Sequence, residues 1–403
     1  MYCRFCESAV ITLDDKSDIR TKQEPPTRIH HLDWLRVFAT MLLIPFHCLE
    51  SFGLNVYYIN AANRAYPYEV ATNLINLWHM PLFFFISGYA SAVALKCNSP
   101  GRYFVSRLKR LAVPLAFGMV TLVPLVGYLS ERTKNGFGTA SFFDYYPAFF
   151  RFHRGDIGGF TGGLSTHHLW FLVYLLAFSL IGLALFRWLE TRSGARSMER
   201  CSTLLCRWPG LVFLAVFPLA AARASTAFYP SPLYFALFFT IGFLVSRERR
   251  LEEALKSIFF VALVVVVVVT PAVLAAFTRQ SFDSGLALTF FVFEDGFSRI
   301  AVEFVALSWL VVIWWLPARF LTNNNRVLDY LNTGSIAVYL LHFAVVMAML
   351  RVMTEVTMSS HVAFLLASCG ALIATVAVYE IAVRRFRWVR FLLGIAPQHT
   401  KPL

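Results

Sequence analysis

Long apolar stretches separated by short polar ones dominate the pattern of this chain. An α-helix needs about 20 apolar residues to cross a bilayer, and such stretches predict ten spans. They lie near residues 32–55, 70–95, 108–129, 167–187, 209–223, 231–246, 257–277, 297–317, 334–351 and 361–383. The pattern therefore predicts an all-α, polytopic helical bundle in a membrane. The least regular spans are the fifth, which is short and contains Pro218, and the eighth, which contains Glu303.

Composition supports this fold class. Hydrophobic residues make up 58% of the chain, aromatic residues 16% and charged residues only 15%, which is far from the averages of soluble domains. We find no internal repeat and no boundary between two domains. We expect one membrane domain over residues 30–395, a flexible cytoplasmic tail at 1–29 and a second cytoplasmic tail at 396–403.

The net charge of +13 invites a nucleic-acid interpretation, but the charges follow the predicted spans instead. If the N-terminus is cytoplasmic, the loops and tails on that side hold 27 of the 36 Lys and Arg residues, as the positive-inside rule requires. An even number of spans then places both termini in the cytoplasm. We therefore expect a lipid bilayer, and no nucleic acid, as the partner of this charge.

The cysteines do not predict a cross-linked or metal-binding protein. Seven are scattered along the chain, and Cys3 and Cys6 form a single CxxC motif without a second pair or a nearby histidine. An odd, scattered set gives no disulfide framework, and a lone CxxC is a weak zinc signal. We expect no metal and no permanently bound cofactor.

The first span carries ionisable groups, which are costly inside a bilayer and usually mark function. At about 100° and 1.5 Å per residue, Arg36 and His47 lie within about 20° of each other around the helix and about 16 Å apart along it. Asp33 and Thr40 share that face, and Glu50 follows one turn beyond His47. The alternative is a membrane-entry anchor, Asp33 and Arg36, followed by a histidine that is only hydrogen-bonded in the core.

Two further segments carry polar residues at the edges or inside the predicted spans. We expect His79 at the outer end of the second span, in an interfacial role, whereas Ser87 precedes a glycine and serves either packing or substrate binding. Arg107 and Arg110 share a face at the start of the third span and are suited to grip phosphate groups. Ordinary positive-inside anchoring explains the same two arginines.

Histidines recur in the second half of the bundle. His168 and Trp170 open the fourth span, either as a polar cap with an interfacial tryptophan or as substrate contacts. Tyr339 and His342 lie near the middle of the ninth span, where a buried histidine is either structural or part of a reaction centre. Glu380 and Arg384 are four residues apart and are expected to neutralise each other.

The longest polar segment between spans, from Ser130 to Thr166, is rich in aromatic residues and glycine. Aromatic faces stack on the apolar faces of sugars, so this loop is suited to cover a sugar ring. An interfacial aromatic belt with turns is the equal alternative.

Five motifs, in order along residues 30 to 395, resemble those of the membrane acyltransferase family 3. They are Leu32-Asp33-Trp34-Leu35-Arg36 with His47, Phe83-Phe84-Phe85-Ile86-Ser87-Gly88-Tyr89, Arg107-Leu108-Lys109-Arg110 with Pro114, His168-Leu169-Trp170-Phe171-Leu172, and Ser335 to His342. Each motif alone is weak, whereas five in order are specific. The segments Ile44 to His47, Tyr339 to His342 and Tyr379 to Gly394 are most similar to the branch that succinylates periplasmic glucans.

The resemblance implies an O-acyltransferase of the bacterial inner membrane. It would move a succinyl or acetyl group from cytoplasmic succinyl-CoA or acetyl-CoA to a hydroxyl of a periplasmic or cell-surface glycan, with other glycan-synthesis proteins as possible partners. We expect His47 to act as general base or as acyl carrier, with Asp33, Arg36 and Glu50 as its orienting groups. Acyl-CoA would meet Arg36, Arg107 and Arg110, and the acceptor would meet Ser87, His168, Trp170, Tyr339 and His342.

Two other functions fit parts of this pattern. A transporter or flippase for a glycan or a lipid-linked precursor would also carry charged residues inside its helices, although no inverted repeat is visible. A non-catalytic partner in a glycan-modifying complex is the second alternative, and the complete set of motifs argues against it.

Overall fold

The computed structural model describes residues 29–133, 141–151, 164–224, 231–284, 296–353 and 358–395. These residues form helices and connecting turns, with no strand among them, so the predicted all-α fold is confirmed. The predicted tails at 1–29 and 396–403, except residue 29, lie outside the described residues, and so does the glycine-rich part of the loop at 158–163.

The helices follow one another with short connections. In chain order they are α1 His30–Phe52, α2 Tyr66–Asn76, α3 His79–Cys97, α4 Pro100–Arg107, α5 Val113–Val120, α6 Leu122–Thr133, α7 Phe142–Phe149, α8 Trp170–Leu189, α9 Arg192–Arg207, α10 Val216–Ala224, α11 Pro232–Arg247, α12 Arg249–Ser257, α13 Phe259–Ser284, α14 Gly296–Phe320, α15 Arg326–Met353, α16 Ser360–Val378 and α17 Arg387–Leu392. Shorter π-helical or 3-10 turns cover Leu108–Ala112, His167–Leu169, Pro209–Ala215 and Tyr379–Val383.

Eight of the ten predicted spans are helices long and apolar enough to cross a membrane, within the described part of the chain. The fifth and sixth predicted spans differ. The segment Pro209–Arg223 bends by 116° from α9, and the pair counts as one further span at most. The sixth is α11, an apolar helix of only 16 residues.

The outer surface of the bundle is suited to lipid. On α13, Phe260, Val264, Val267 and Val268 are between 61% and 76% exposed, at the spacing of a single helix face. An apolar stripe of this kind is unfavourable in water but matches the hydrocarbon core of a bilayer. The valine run therefore covers the lipid side of the bundle.

Helices α3 and α11 approach each other closely in the interior, with glycines at their crossing. A Cβ atom on Gly88 would overlap the carbonyl oxygen of Phe239, and one on Gly242 would overlap the carbonyl oxygen of Phe85. Small residues at such crossings let two backbones pack directly in membrane bundles. The large rings of α11, including the fully buried Phe238 and Phe243, fill the space on either side.

Helix α1 runs through the middle of the bundle. It contacts α2, α3, α14, α15 and α16, and its residues belong to both of the large apolar clusters in the interior. The buried polar side chains of α1 therefore need hydrogen-bond partners inside the protein. This position makes α1 the wall on which the candidate site is built.

The glycine crossing gives a direct test of the packing. Replacing Gly88 or Gly242 by alanine should lower the melting temperature of the purified protein, since overpacking a tight contact costs about 1–3 kcal/mol. The matched control is Gly101→Ala, because a Cβ on Gly101 meets no atom within 4 Å. That helical substitution should be neutral or stabilising by about 0.4–1 kcal/mol. Equal melting temperatures for the three variants in detergent would contradict the close crossing.

Candidate active site

Three histidines from separate parts of the chain meet at the side of α1. The ring of His47, on α1, stacks on that of His342, on α15, with 5.3 Å between centroids and 23° between planes. The ring of His168, on the turn before α8, meets His342 edge-on at 5.6 Å. Phe343 packs against both His47 and His168. His47 and His342, which were predicted inside the first and ninth spans, thus meet His168, which was predicted at the start of the fourth span, in one cluster.

A carboxylate and a phenol hold the His47 ring at one nitrogen. The Nδ1 atom of His47 lies 2.7 Å from Oε2 of Glu50 and 2.9 Å from the hydroxyl of Tyr57. Tyr57 also hydrogen-bonds to the carboxylate of Glu50. With Glu50 ionised, the carboxylate accepts from both partners, so Nδ1 carries the proton and the lone pair lies on Nε2. Among the three predicted orienting groups, Glu50 is in direct contact with His47.

Tyr57 comes from the loop between α1 and α2, over residues 53–65. Burial raises the pKa of Tyr57 well above its usual value, and the nearby Glu50 carboxylate adds to that rise. Burial likewise raises the pKa of Tyr58. Both phenols consequently stay protonated and remain hydrogen-bond donors at neutral pH. The hydroxyl of Tyr58 lies 3.1 Å from Nδ1 of His167, so the loop contacts two histidines of the site.

Glu69, on α2, anchors this loop. Its carboxylate accepts from the backbone N–H of Leu54 at 3.1 Å and of Asn55 at 3.3 Å, and from the side-chain amide of Asn55 at 2.5 Å. Glu69 is only 3% exposed, so these bonds form away from water, where unpaired polar groups are costly. The anchor fixes the start of the segment that brings Tyr57 to His47.

The chain turns sharply where it supplies His168. His167 has a φ of 41°, in the left-handed region that residues with a Cβ rarely adopt. This conformation sends two successive histidines to different neighbours: His167 to the ring of Tyr58, and His168 to the ring of His342. Residues held in such backbone conformations cluster at functional sites.

Backbone carbonyls set the tautomers of the other two histidines. Nδ1 of His342 donates to the carbonyl of Tyr339 at 2.6 Å, and Nε2 of His168 donates to that of Leu340 at 3.1 Å. A carbonyl only accepts, so each ring keeps its lone pair on the other nitrogen. Nε2 of His342 and Nδ1 of His168 are buried and have no hydrogen-bond partner among the described residues. The cluster thus presents acceptors that suit hydroxyl donors.

The prediction that His79 is interfacial is wrong. The span containing it begins at Tyr66, about three and a half turns earlier, so His79 lies inside the bundle and is 1% exposed. Its Nε2 donates to the carbonyl of Ala39 at 2.9 Å, and its ring packs on Phe46 and Phe83. His79 is a hydrogen-bonded core histidine beside the cluster.

The prediction that Asp33 and Arg36 orient His47 is also wrong. Nη1 of Arg36 lies 3.2 Å from Oδ1 of Asp33 and 3.3 Å from Oδ1 of Asn332. The helical rise places Arg36 about 16 Å and Asp33 about 21 Å from His47 along α1. A hydrogen bond cannot bridge such distances. The predicted helix face is present, but Asp33 and Arg36 at one end of it have different neighbours from His47 at the other end.

Arg107 and Arg110 do not form the predicted matched pair. Helix α4 ends at Arg107, and a π-helical turn carries the chain over Leu108–Ala112. Nη2 of Arg107 donates to Oγ of Ser91 at 3.0 Å, and its guanidinium lies 5.1 Å from the ring centroid of Tyr103. Arg110 is exposed. The π-turn therefore gives the two arginines different environments, although both stay at the same end of the bundle.

Of the remaining predicted substrate residues, Tyr339 joins the cluster and the others do not. The hydroxyl of Tyr339 donates to the carbonyl of His168 at 2.5 Å. Trp170 packs in an aromatic group with Phe84 and Phe235. Ser87 lies eight residues beyond His79 on α3, which is about 12 Å by helical rise. The backbone carbonyl of Ser87 accepts a hydrogen bond from Oγ of Ser91 at 2.7 Å.

No metal site is found in this part of the chain. Within the described ranges, no group of three or more histidine, cysteine or acidic side chains is arranged to hold a metal ion. The histidine cluster instead has its hydrogen bonds fixed by one carboxylate, one phenol and backbone carbonyls. Such an arrangement is suited to move protons, because one ring nitrogen is held as donor while the other keeps its lone pair.

Comparison with known proteins identifies relatives. The sequence profile of acyltransferase family 3, described as "Acyltransferase domain", matches residues 29–380. The proteins named Glucans biosynthesis protein C from Salmonella paratyphi A and from Salmonella agona are each 24% identical to this chain over 386 residues, which is 89% of this chain and 93% of the relative. No solved structure matches the chain. The whole histidine cluster lies inside the matched segment.

The loop anchor can be tested through stability. Replacing Glu69 by alanine leaves buried donors of Leu54 and Asn55 without an acceptor, at about 1–3 kcal/mol for each unsatisfied group. We expect a lower melting temperature in detergent micelles, measured by intrinsic fluorescence. Glu253→Ala is the matched control, since Glu253 forms an exposed pair with Arg249 at 2.8 Å and such pairs contribute about 0–1 kcal/mol. Similar melting of both variants would mean that Glu69 anchors nothing.

Proposed function

The chain belongs to acyltransferase family 3, and from this membership we propose that it transfers an acyl group from acyl-coenzyme A to a hydroxyl of a glycan. Family membership and the multi-pass helical fold make it a membrane acyltransferase related to the glucan biosynthesis protein C group. The donor, the acceptor and the location in a bacterial inner membrane are the proposed parts. One observation carries the chemistry: Nδ1 of His47 lies 2.7 Å from Oε2 of Glu50 and 2.9 Å from the hydroxyl of Tyr57. With Glu50 ionised, these contacts keep the proton on Nδ1 and the lone pair on Nε2.

The reaction needs a group that takes a proton and then returns it. Nε2 of His47 removes the proton of the acceptor hydroxyl while the oxygen forms a bond to the thioester carbonyl carbon. The carbon–sulfur bond then breaks, and the imidazolium returns the proton to the sulfur of coenzyme A. The Glu50 carboxylate stabilises the imidazolium through Nδ1. The products are an O-acyl glycan and free coenzyme A.

A second route uses the same atoms. Nε2 of His47 attacks the thioester carbonyl carbon first, and coenzyme A leaves as the thiolate. The acceptor hydroxyl then attacks the acyl-imidazolium, the bond from the acyl carbon to Nε2 breaks, and the hydroxyl proton passes to the thiolate. Both routes require the lone pair on Nε2 and the hold of Glu50 on Nδ1. The structure of the site supports each equally, and both fail without His47.

We assign recognition of the sugar hydroxyls to two buried ring nitrogens, one on His342 and one on His168, that have no hydrogen-bond partner among the described residues. A sugar offers several O–H donors, and Nε2 of His342 and Nδ1 of His168 are buried lone pairs beside His47. Tyr339 supports this arrangement by bonding to the carbonyl of His168. A site with buried acceptors favours ligands that supply donors, because unpaired polar groups cost free energy.

We assign binding of the acyl-CoA donor substrate to the end of α1 that carries Arg36. Arg36, Arg107 and Arg110 lie at the end where the positive-inside rule predicts the cytoplasm. Guanidinium groups bind phosphates through paired hydrogen bonds, and coenzyme A carries a pyrophosphate and a 3′-phosphate. The acyl chain of the donor then extends along α1 toward His47, over about 16 Å by helical rise.

Removing the base tests the proposal. His47→Gln should lower acyl transfer by about 10²–10⁴-fold, measured with labelled acyl-CoA and purified glucan in reconstituted vesicles. His361→Gln is the matched control, because His361 contacts Tyr68 at the rim of the bundle and not the cluster. Normal turnover by the folded His47→Gln variant would remove His47 from the mechanism. Glycan movement without acylation by the wild type would favour a flippase.

The carboxylate gives a separate expectation. Glu50→Gln preserves the size of the side chain but removes the negative charge that stabilises the imidazolium. We expect kcat to fall by at least about tenfold, with little change in KM for the donor, whose phosphates bind elsewhere. Tyr57→Phe, which leaves the charge and removes one hydrogen bond, should have a smaller effect. An equal loss in both variants would assign the effect to packing rather than to charge.

A further inference from the structure

An open pocket lies at the same end of the bundle as Arg36. It has a volume of about 360 Å³, including the solvent at its mouth, and is lined by Thr333, Tyr379, Val383, Arg384, Arg390 and Ile395. Two of the six lining residues are arginines. The pocket is separate from the histidine cluster and is not used in the mechanism above.

A carboxylate and a phenol hold Arg384 in place. Oε2 of Glu380 lies 2.8 Å from Nη1 of Arg384, as predicted for this pair, and the hydroxyl of Tyr330 donates to Oε1 of Glu380 at 2.6 Å. The bonds from Arg384 to the carboxylate both leave from Nη1. The side chain is 51% exposed, so a bound anion can reach the other N–H groups of the guanidinium.

The other arginine of the pocket is tied to the turn that carries Arg110. Helix α17 contains Arg390 and ends at Leu392. Gly394, two residues later, has a φ of 70°, which favours glycine. A Cβ on Gly394 would lie 2.7 Å from both the carbonyl oxygen of Arg110 and Cγ of Pro114. The end of α17 is therefore packed directly on the π-helical turn, and the arginines of both segments lie at one end of the bundle.

The pocket is also connected to the first span and to the histidine cluster. Asn332, which precedes the lining residue Thr333, accepts from Arg36 at 3.3 Å. His342 lies on the same helix, α15, nine residues after Thr333, which is about 14 Å by helical rise. A ligand with its charged head at the pocket and a flexible chain of at least this length reaches the ring that stacks on His47.

Positive-inside anchoring alone would explain basic residues at this end. It does not explain a pocket between them, nor a carboxylate and phenol that orient one guanidinium. We propose that this pocket binds the phosphoadenosine end of the acyl-coenzyme A donor, with Arg384 and Arg390 on its 3′-phosphate. The inference rests on the proposed function for the identity of the donor. The 3′-phosphate is assigned here, and the pyrophosphate is left to Arg36, Arg107 and Arg110.

The test measures binding, so it does not depend on turnover. The full-length protein in nanodiscs of zwitterionic lipid is titrated with coenzyme A and with dephospho-coenzyme A, which lacks the 3′-phosphate. The pocket variant is R384Q/R390Q. The matched control is R385Q/R387Q, which removes the same charge from neighbouring exposed positions that do not line the pocket. Melting temperatures of both variants show that they are folded.

We expect the wild type and the control to bind coenzyme A at least about tenfold more tightly than dephospho-coenzyme A. The pocket variant should bind the two ligands equally, with the affinity that the wild type has for the dephospho form. A ligand preference that persists in the pocket variant would overturn the inference. An equal loss of preference in the control would also overturn it, because general charge would then suffice.

A second arm separates the donor from an anionic lipid headgroup, which offers the same phosphate chemistry. In nanodiscs that contain phosphatidylglycerol, the lipid should not compete with coenzyme A for the wild type. Strong competition that disappears in R384Q/R390Q would assign the pocket to lipid and overturn the donor assignment. The pocket and the proposed function are tested separately. If the pocket does not bind coenzyme A, the activity of His47→Gln still tests the proposed function. If His47→Gln keeps normal activity, the measured binding of coenzyme A to the pocket still stands.

Discussion

The candidate site depends on the shared carboxylate of Glu50. Inside a membrane bundle, water cannot satisfy polar groups, so each of them must find a partner within the protein. Glu50 meets this need for Nδ1 of His47 and for Tyr57 at once. The same bonds fix the angle of the ring and direct its lone pair to Nε2. A hydrogen-bonding requirement of the fold thus becomes a chemical property of the site.

The contacts among His47, Glu50 and Tyr57 depend on hydrogen bonds and packing in the elements around them. The loop that supplies Tyr57 is fixed at its start by Glu69 and farther on by Ser130, whose Oγ donates to the carbonyl of Tyr58 at 3.2 Å. Helix α15 brings His342 against His47 and cannot shift without disturbing that stack. Because interiors are close-packed, the positions of the three histidines are determined by elements that carry no chemistry themselves.

The sequence predicts those parts of the fold that depend on local pattern. Apolar stretches of span length locate the long helices, and the one-turn spacing of His47 and Glu50 predicts their proximity. Burial depth is less local: an apolar stretch that begins at residue 70 predicts His79 near one end of its span, whereas the span includes α2 and begins at Tyr66. The π-turn after Arg107 has no clear sequence signal, so the two arginines were expected on one face.

Tyr57, Tyr58 and Glu69 were missed for a related reason. They lie in a short loop and at the start of the next helix, and their contacts with α1 and His167 depend on the folding of the whole segment. The only hint in the sequence is two adjacent tyrosines and a glutamate just after a span that ends in His47 and Glu50. Loops carry functional residues more often than their composition suggests, and no periodicity identifies them.

The separation between the two ends of α1 bears on how a membrane enzyme could act across a bilayer. The cluster around His47 lies about 16 Å from Arg36 by helical rise, which is roughly half of the hydrocarbon thickness. A donor that is long and flexible can bridge this distance with its charged head at one surface, so no large movement of the helices is needed to bring its acyl group to the base. A transporter must instead open alternately to both sides, usually by rocking one repeat against another. The glycine crossing of α3 and α11, in which the backbones touch without side chains between them, resists sliding and suits the first arrangement better than the second.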